Sequence, residues 1–156
     1  MKVRVIAPGK PSHPGAIAYL SDYGARIGRL VGYSRTSVRE VKRGKSGADA
    51  RARTDESAAL WAAVPPGALI VALDAGGRRH DSESLLLWLA GIAETGTREV
   101  AFLIGGPDGL DETILTRAHA TISLSPMTLP HELAEVVLLE AIYRALMRWK
   151  GLPYHR

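Results

Sequence analysis

The sequence predicts an α/β domain, a mainly parallel sheet with helices on both faces. Three observations carry that prediction. Segments with strand character alternate with amphipathic segments of helical length along the chain. Two of the strand segments, 68–73 and 99–104, are almost continuously apolar, as parallel strands covered on both faces are. Both end abruptly in glycine-rich exits, Asp74-Ala75-Gly76-Gly77 and Gly105-Gly106-Pro107-Asp108-Gly109, and in such sheets ligands bind beyond the carboxyl ends of the strands.

The elements follow in order. Lys2-Val3-Arg4-Val5-Ile6 alternates and is rich in β-branched residues, so it is expected as a strand closed by Pro8-Gly9. Ile17, Leu20, Tyr23, Ile27 and Leu30 recur at helical spacing and predict a helix over 14–30. A second strand is expected over 33–41. A basic loop centred on Gly44 and Ser46-Gly47 follows, and then a helix over 49–63 that Pro65-Pro66-Gly67 breaks. After the strand at 68–73, residues 82–94 read as a helix closed near Gly96, followed by the strand at 99–104. Asp111 is placed to cap a short helix ending at Arg117, and 120–124 forms a last short strand. Pro130 suits the first position of a final helix reaching about Lys150.

Composition bounds what such a domain does. At 156 residues and 46% hydrophobic, the chain fits one domain over 1–156 with a sizeable core. No apolar run reaches membrane-spanning length and Met1-Lys2 leads into a strand rather than a signal peptide, so a cytoplasmic protein is expected. The absence of cysteine excludes a disulfide framework and thiolate chemistry, and the 5 scattered histidines predict no metal site. Residues 1–80 hold 14 Lys+Arg against 6 Asp+Glu, whereas residues 81–156 hold 6 against 10. Arg35, Arg39, Lys42, Arg43, Lys45, Arg51 and Arg53 concentrate the positive charge, which points to a polyanion such as RNA.

The strand exits bring together a candidate pocket. Gly105 to Gly109 allow close approach of backbone to ligand, and Ser123-Leu124-Ser125-Pro126-Met127-Thr128-Leu129-Pro130-His131 supplies an apolar cover. The final helix is apolar on nearly every side, which suggests that a second copy of the chain covers part of it. Within it Glu140 and Arg144 stand four apart, either as a structural ion pair or as an arginine held toward an anionic substrate. The last residues, Tyr154-His155-Arg156, combine groups able to stack on a base, exchange a proton and bind phosphate.

Four ordered motifs, Ile104-Gly105-Gly106-Pro107-Asp108-Gly109-Leu110, Ser123 to His131 as written above, Glu140-Ala141-Ile142-Tyr143-Arg144-Ala145 and Pro153-Tyr154-His155-Arg156, closely resemble the ribosomal RNA large subunit methyltransferase H family of the SPOUT superfamily. The resemblance covers essentially the whole chain. It implies a deep trefoil knot at the carboxyl-terminal end, an S-adenosylmethionine cofactor and a homodimer. It also implies methylation of N3 of a pseudouridine in helix 69 of 23S rRNA within the assembled 70S ribosome. By position, cofactor contacts fall on Leu73, Gly105, Leu124, Ser125, Pro126, Met127, Thr128 and Leu129. Catalytic roles fall on Arg144, Tyr154, His155 and Arg156, with the tail of one subunit a candidate to complete the site of the other. Two departures stand out: Pro126 removes one backbone donor from the cofactor loop, and Lys10 to Gly15 carries two prolines of unknown role. The rival readings are a non-catalytic ribosome-binding module, a SPOUT methyltransferase acting on another RNA such as tRNA, and a mononucleotide-binding enzyme, which lacks a GxxxxGK[ST] loop.

Overall fold

The computed structural model describes residues 1–41 and 50–154. Its strands are β1 (Lys2–Pro8), β2 (Gly32–Val38), β3 (Leu69–Arg79), β4 (Glu99–Leu103) and β5 (Ala120–Ser123). The helices are α1 (Pro14–Leu30), α2 (Ala50–Ala62), α3 (Ser82–Glu94), α4 (Glu112–Arg117) and α5 (His131–Trp149). The five strands form one all-parallel sheet in the order β2-β1-β4-β3-β5.

Alternation along the inner strands divides the core into two layers. Val3 and Val5 of β1, Val71 of β3 and Val100 and Phe102 of β4 face one side, where α1, α3 and α5 cover them with Leu20, Ile27, Leu89, Leu138 and Ile142. Ile6, Ile70, Ala72, Ala101 and Leu103 face the other side, against Leu60 of α2 and Ile114 of α4. Both faces of the central strands are thus buried, which accounts for their continuous apolar runs.

Local signals position the elements. His13 caps α1 by accepting from the Gly15 N–H, Asp81 forms a capping box with Ser84 at α3, and Asp111 accepts from the Ile114 N–H at α4. His119 takes the Ile70 N–H on its ring at 3.0 Å and returns its own N–H to the Ile70 carbonyl at 2.9 Å, which seats β5 beside β3.

Some boundaries depart from expectation. β2 stops at Val38 because its partner β1 ends at Pro8 in the pairing register. Pro130 is the N-cap of α5 rather than its first helical residue. β3 continues past the expected exit: Leu73 and Arg78 both pair with Ile122, so the strand bulges at 74–77 and returns to β5. A Cβ on Gly77 would lie 2.7 Å from the Ile122 carbonyl carbon, so only glycine permits this backbone contact. The centre of the basic loop, with Lys42, Arg43 and Lys45, lies outside the described residues.

Candidate active site

Beyond the carboxyl ends of β3, β4 and β5 lies a cavity of about 690 Å3, within the range of about 300–1,000 Å3 usual for small-molecule sites. The β3 exit contributes Leu73, Asp74 and Ala75. The β4 exit contributes Gly105 and the turn that follows. There the Gly109 N–H donates to the Gly106 carbonyl at 2.9 Å, with Pro107 and Asp108 at the centre and Gly109 at φ +76°. Gly105 itself admits no side chain, since a Cβ would stand 2.5 Å from the Gly109 carbonyl carbon.

The β5 exit forms the third wall. Leu124, Ser125, Met127, Thr128 and Leu129 line the cavity, whereas Pro126 is exposed and does not. Pro126 occupies the outside of a turn in which the Met127 N–H donates to Ser125 Oγ at 2.9 Å, while the Ser123 hydroxyl donates to the Ser125 carbonyl at 3.1 Å. Met127 is 72% exposed, an apolar side chain at the cavity mouth. Its wall is extended by His131 and Ala134, which the motif reading had not singled out as site residues. His131 stood inside the quoted motif, and its place in the first turn of α5 was the available signal.

The segment Lys10 to Gly15, without a role at the level of sequence, acquires one here. Glu132, one residue beyond His131, accepts from the Ser12 N–H at 2.9 Å, the Ser12 hydroxyl at 2.8 Å and the His13 N–H at 3.0 Å. The Ser12 N–H, more than any other contact, holds the Glu132 carboxyl below its ordinary pKa. The start of α5, and with it one cavity wall, is thereby fastened to the loop before α1.

A second cavity, of about 420 Å3, is lined by Ser82, Arg144, Arg148 and Tyr154 and shares no lining residue with the first. Glu140 organises it. Arg144 donates Nε to Glu140 Oε1 at 3.1 Å and also donates Nη2 to the same oxygen, while the Tyr154 hydroxyl donates to it at 2.5 Å. The Arg144 guanidinium lies over the Tyr154 ring, 4.6 Å from its centre. Hydrogen bonding to Glu140, followed by burial, pushes the Tyr154 phenol up to about 12. His155 and Arg156 lie outside the described residues.

The basic stretch proves heterogeneous. Arg35 is engaged internally: its Nε donates to Glu135 Oε1 at 2.7 Å, its Nη2 to Glu135 Oε2 at 3.1 Å, and its Nη1 to the Gly9 carbonyl and Ser37. Glu135 is fully buried, so Arg35 serves the fold rather than a phosphate. Arg51 and Arg53 remain exposed on α2. No group of His, Cys, Asp and Glu suited to a metal occurs among the described residues, and no described helix is long and apolar enough to cross a membrane.

An all-parallel sheet with glycine-rich and Ser/Thr/Pro loops converging on a cavity at its carboxyl edge defines an α/β protein with a space of small-molecule size, and comparison with known proteins makes the class specific. The family model described as "Predicted SPOUT methyltransferase" matches residues 1–155. Proteins called ribosomal RNA large subunit methyltransferase H resemble the chain along its whole length. The one from Thiobacillus denitrificans is 41% identical, covering 100% of this chain and 99% of its own. That from Anaeromyxobacter sp. is 38% identical and covers 100% of both. A crystal structure of a probable methyltransferase from Bordetella pertussis shares the fold, with a TM-score of 0.56 at 21% identity over 93% of this chain and 96% of that one. The chain belongs to the SPOUT methyltransferases and, among them, to the ribosomal RNA large subunit methyltransferase H family.

Proposed function

We propose that the protein is an S-adenosylmethionine-dependent methyltransferase of large-subunit ribosomal RNA, acting on N3 of a pseudouridine in helix 69 of 23S rRNA on the assembled 70S ribosome. The observation that carries the methyltransferase reading is the convergence of three strand-end loops on one cavity, in a chain whose relatives are named for large-subunit rRNA methylation. The residues present fit the cofactor. Leu73, Leu124, Met127 and Leu129 offer apolar surface for an adenine ring, and the Gly105 loop lets main-chain groups approach closely. When bound, the cofactor supplies an electrophilic methyl group on a sulfonium, chemistry that needs no metal. The carboxyl-terminal knot belongs to the same reading, and the glycine-dependent backbone contact of Gly77 with Ile122 is compatible with distant segments of the chain packing that closely.

On the acceptor side, N3 of the base must lose a proton before it attacks. Arg144, hydrogen-bonded to Glu140, presents positive charge to the anion that develops. Tyr154 stays protonated at neutral pH and so acts as a hydrogen-bond donor or stacking surface rather than as a phenolate base. His155 and Arg156 complete the set, His155 for proton handling and Arg156 for RNA. That the two cavities share no residue favours a homodimer in which one subunit's tail serves the other's cofactor loops. α1 and α5 leave Ile17, Tyr19, Leu133 and Val137 outward as the apolar surface for that pairing. Ribosomal RNA as substrate makes the cytoplasm the site of action.

The test supplies untagged protein with labelled S-adenosylmethionine and 70S ribosomes that lack the helix 69 methyl group, followed by nuclease mapping and mass spectrometry. Label on that single pseudouridine is expected. Label elsewhere, or none despite cofactor binding, overturns the substrate; failure to bind cofactor as well replaces the enzyme with a ribosome-binding module.

A further inference from the structure

Arg148 is the charged group at the second cavity that the methyl-transfer reading leaves unused. It stands one helical turn beyond Arg144 on α5, so both guanidinium groups project from one face into the same space. Each is steered from the side by a carboxylate, Arg144 by Glu140 and Arg148 by Glu83 of α3, with Arg148 Nη2 2.5 Å from Glu83 Oε2. Those bonds leave Nη1 of Arg144 and both Nε and Nη1 of Arg148 without an acceptor among the described residues. Ser82 faces them as the first residue of α3, adding a hydroxyl and an N–H that has no acceptor within the helix.

Two forked cations and a hydroxyl around one open space suit a tetrahedral oxyanion with several acceptor oxygens, as in a phosphodiester. The side chains of Arg148 and Glu83 are 46% and 55% exposed, so their ion pair is weak and a phosphate can draw Arg148 from it at little cost. We infer that Arg148, with Arg144 and Ser82, forms a phosphodiester-binding subsite that anchors the RNA backbone beside the methyl acceptor, and that Glu83 restrains Arg148 until RNA arrives. The identification of the anion as RNA rests on the function proposed above. Arg148 is here a binding residue and does not touch the reacting atoms.

The experiment compares wild type, Arg148→Ala, Arg148→Lys and Glu83→Gln. It measures cosedimentation with unmethylated 70S ribosomes from about 50 to 200 mM salt, together with the methyl-transfer rate at saturating ribosomes. Arg148→Ala is expected to weaken binding several-fold and to lower the slope of log affinity against log salt by about one, with the saturating rate little changed. Arg148→Lys should restore the slope but only part of the affinity, because an ammonium lacks the fork. Glu83→Gln should tighten binding. Unchanged affinity and slope in Arg148→Ala overturn the subsite. So does weaker binding in Glu83→Gln, which would make the ion pair structural. Ribosome binding without methyl transfer by the wild type would refute the proposed reaction, while the salt slopes would still decide the subsite. No ribosome binding by the wild type at any salt concentration refutes both.

Discussion

Tyr154 shows how one contact sets a residue's chemistry. Its hydroxyl donates to Glu140, and this hydrogen bond, ahead of burial, pushes the phenol up from its usual 10.0 to about 12. A raised folded pKa means that the native state holds the proton more tightly. The stabilisation is therefore complete below the unfolded value of about 10 and is lost as pH rises through about 12. Glu140→Gln should return the phenol toward its ordinary range, read as the tyrosinate absorbance that disappears in Tyr154→Phe; an unchanged titration would remove Glu140 as the cause. Gly105 is constrained by sterics instead. In Gly105→Ala the new methyl group meets the backbone of Gly109 and Leu110 at 2.5–2.8 Å, so the turn must move. Cofactor affinity, measured by calorimetry, should fall at least tenfold, with the circular dichroism of the sheet retained. The glycine was conspicuous in the sequence, but the atoms that exclude a side chain belong to its own turn folded back upon it.

At the scale of elements, two ion pairs of very different sequence separation do different work. Arg35 on β2 and Glu135 on α5 are a hundred residues apart, and their bidentate contact ties the edge strand of the sheet to the final helix. Because Glu135 is fully buried, Glu135→Ala strands a partly buried guanidinium and should cost about 3–5 kcal/mol in urea unfolding. The exposed pair Arg26–Asp22 on α1 should contribute far less, because water and salt screen both of its charges. Glu132 makes the complementary case for pH. Its depressed carboxyl pKa gives stabilisation that is present above the ordinary value of 4.5 and lost as pH falls through the lower folded one. Acidification, or Glu132→Gln, should therefore release the Ser12–His13 contact, seen as faster amide exchange of those two N–H groups. Both elements were legible in the sequence as strand and helix; neither cross-link was, since nothing local relates position 35 to 135 or 12 to 132.

At the scale of the molecule, the strand-end cavity and the Arg144–Tyr154 cavity are built from different residues, and α1 and α5 turn apolar side chains outward. If a second copy covers them, the chain should sediment as a dimer, and Val137→Glu should yield folded monomers that bind cofactor without transferring methyl groups. Removing residues 154–156 should likewise abolish transfer while leaving cofactor affinity near that of the full chain. Near-normal turnover by either variant would refute a site completed by the partner's tail.

Periodicity and punctuation were enough, without coordinates, to determine where most strands and helices run to within a few residues, though not the end of β3, that the sheet is mainly parallel, and that three loops leave it at its carboxyl edge. Those are consequences of short-range chemistry: alternation, caps and glycine turns act over a few residues. Tertiary structure alone decided that β3 bulges back onto β5, that Pro126 turns outward while its neighbours face the cavity, that Arg35 is occupied by Glu135, and that Arg148 joins Arg144 opposite Ser82. Each depends on which distant groups folding brings within a few ångströms, and contact across such separations leaves no period in a single sequence.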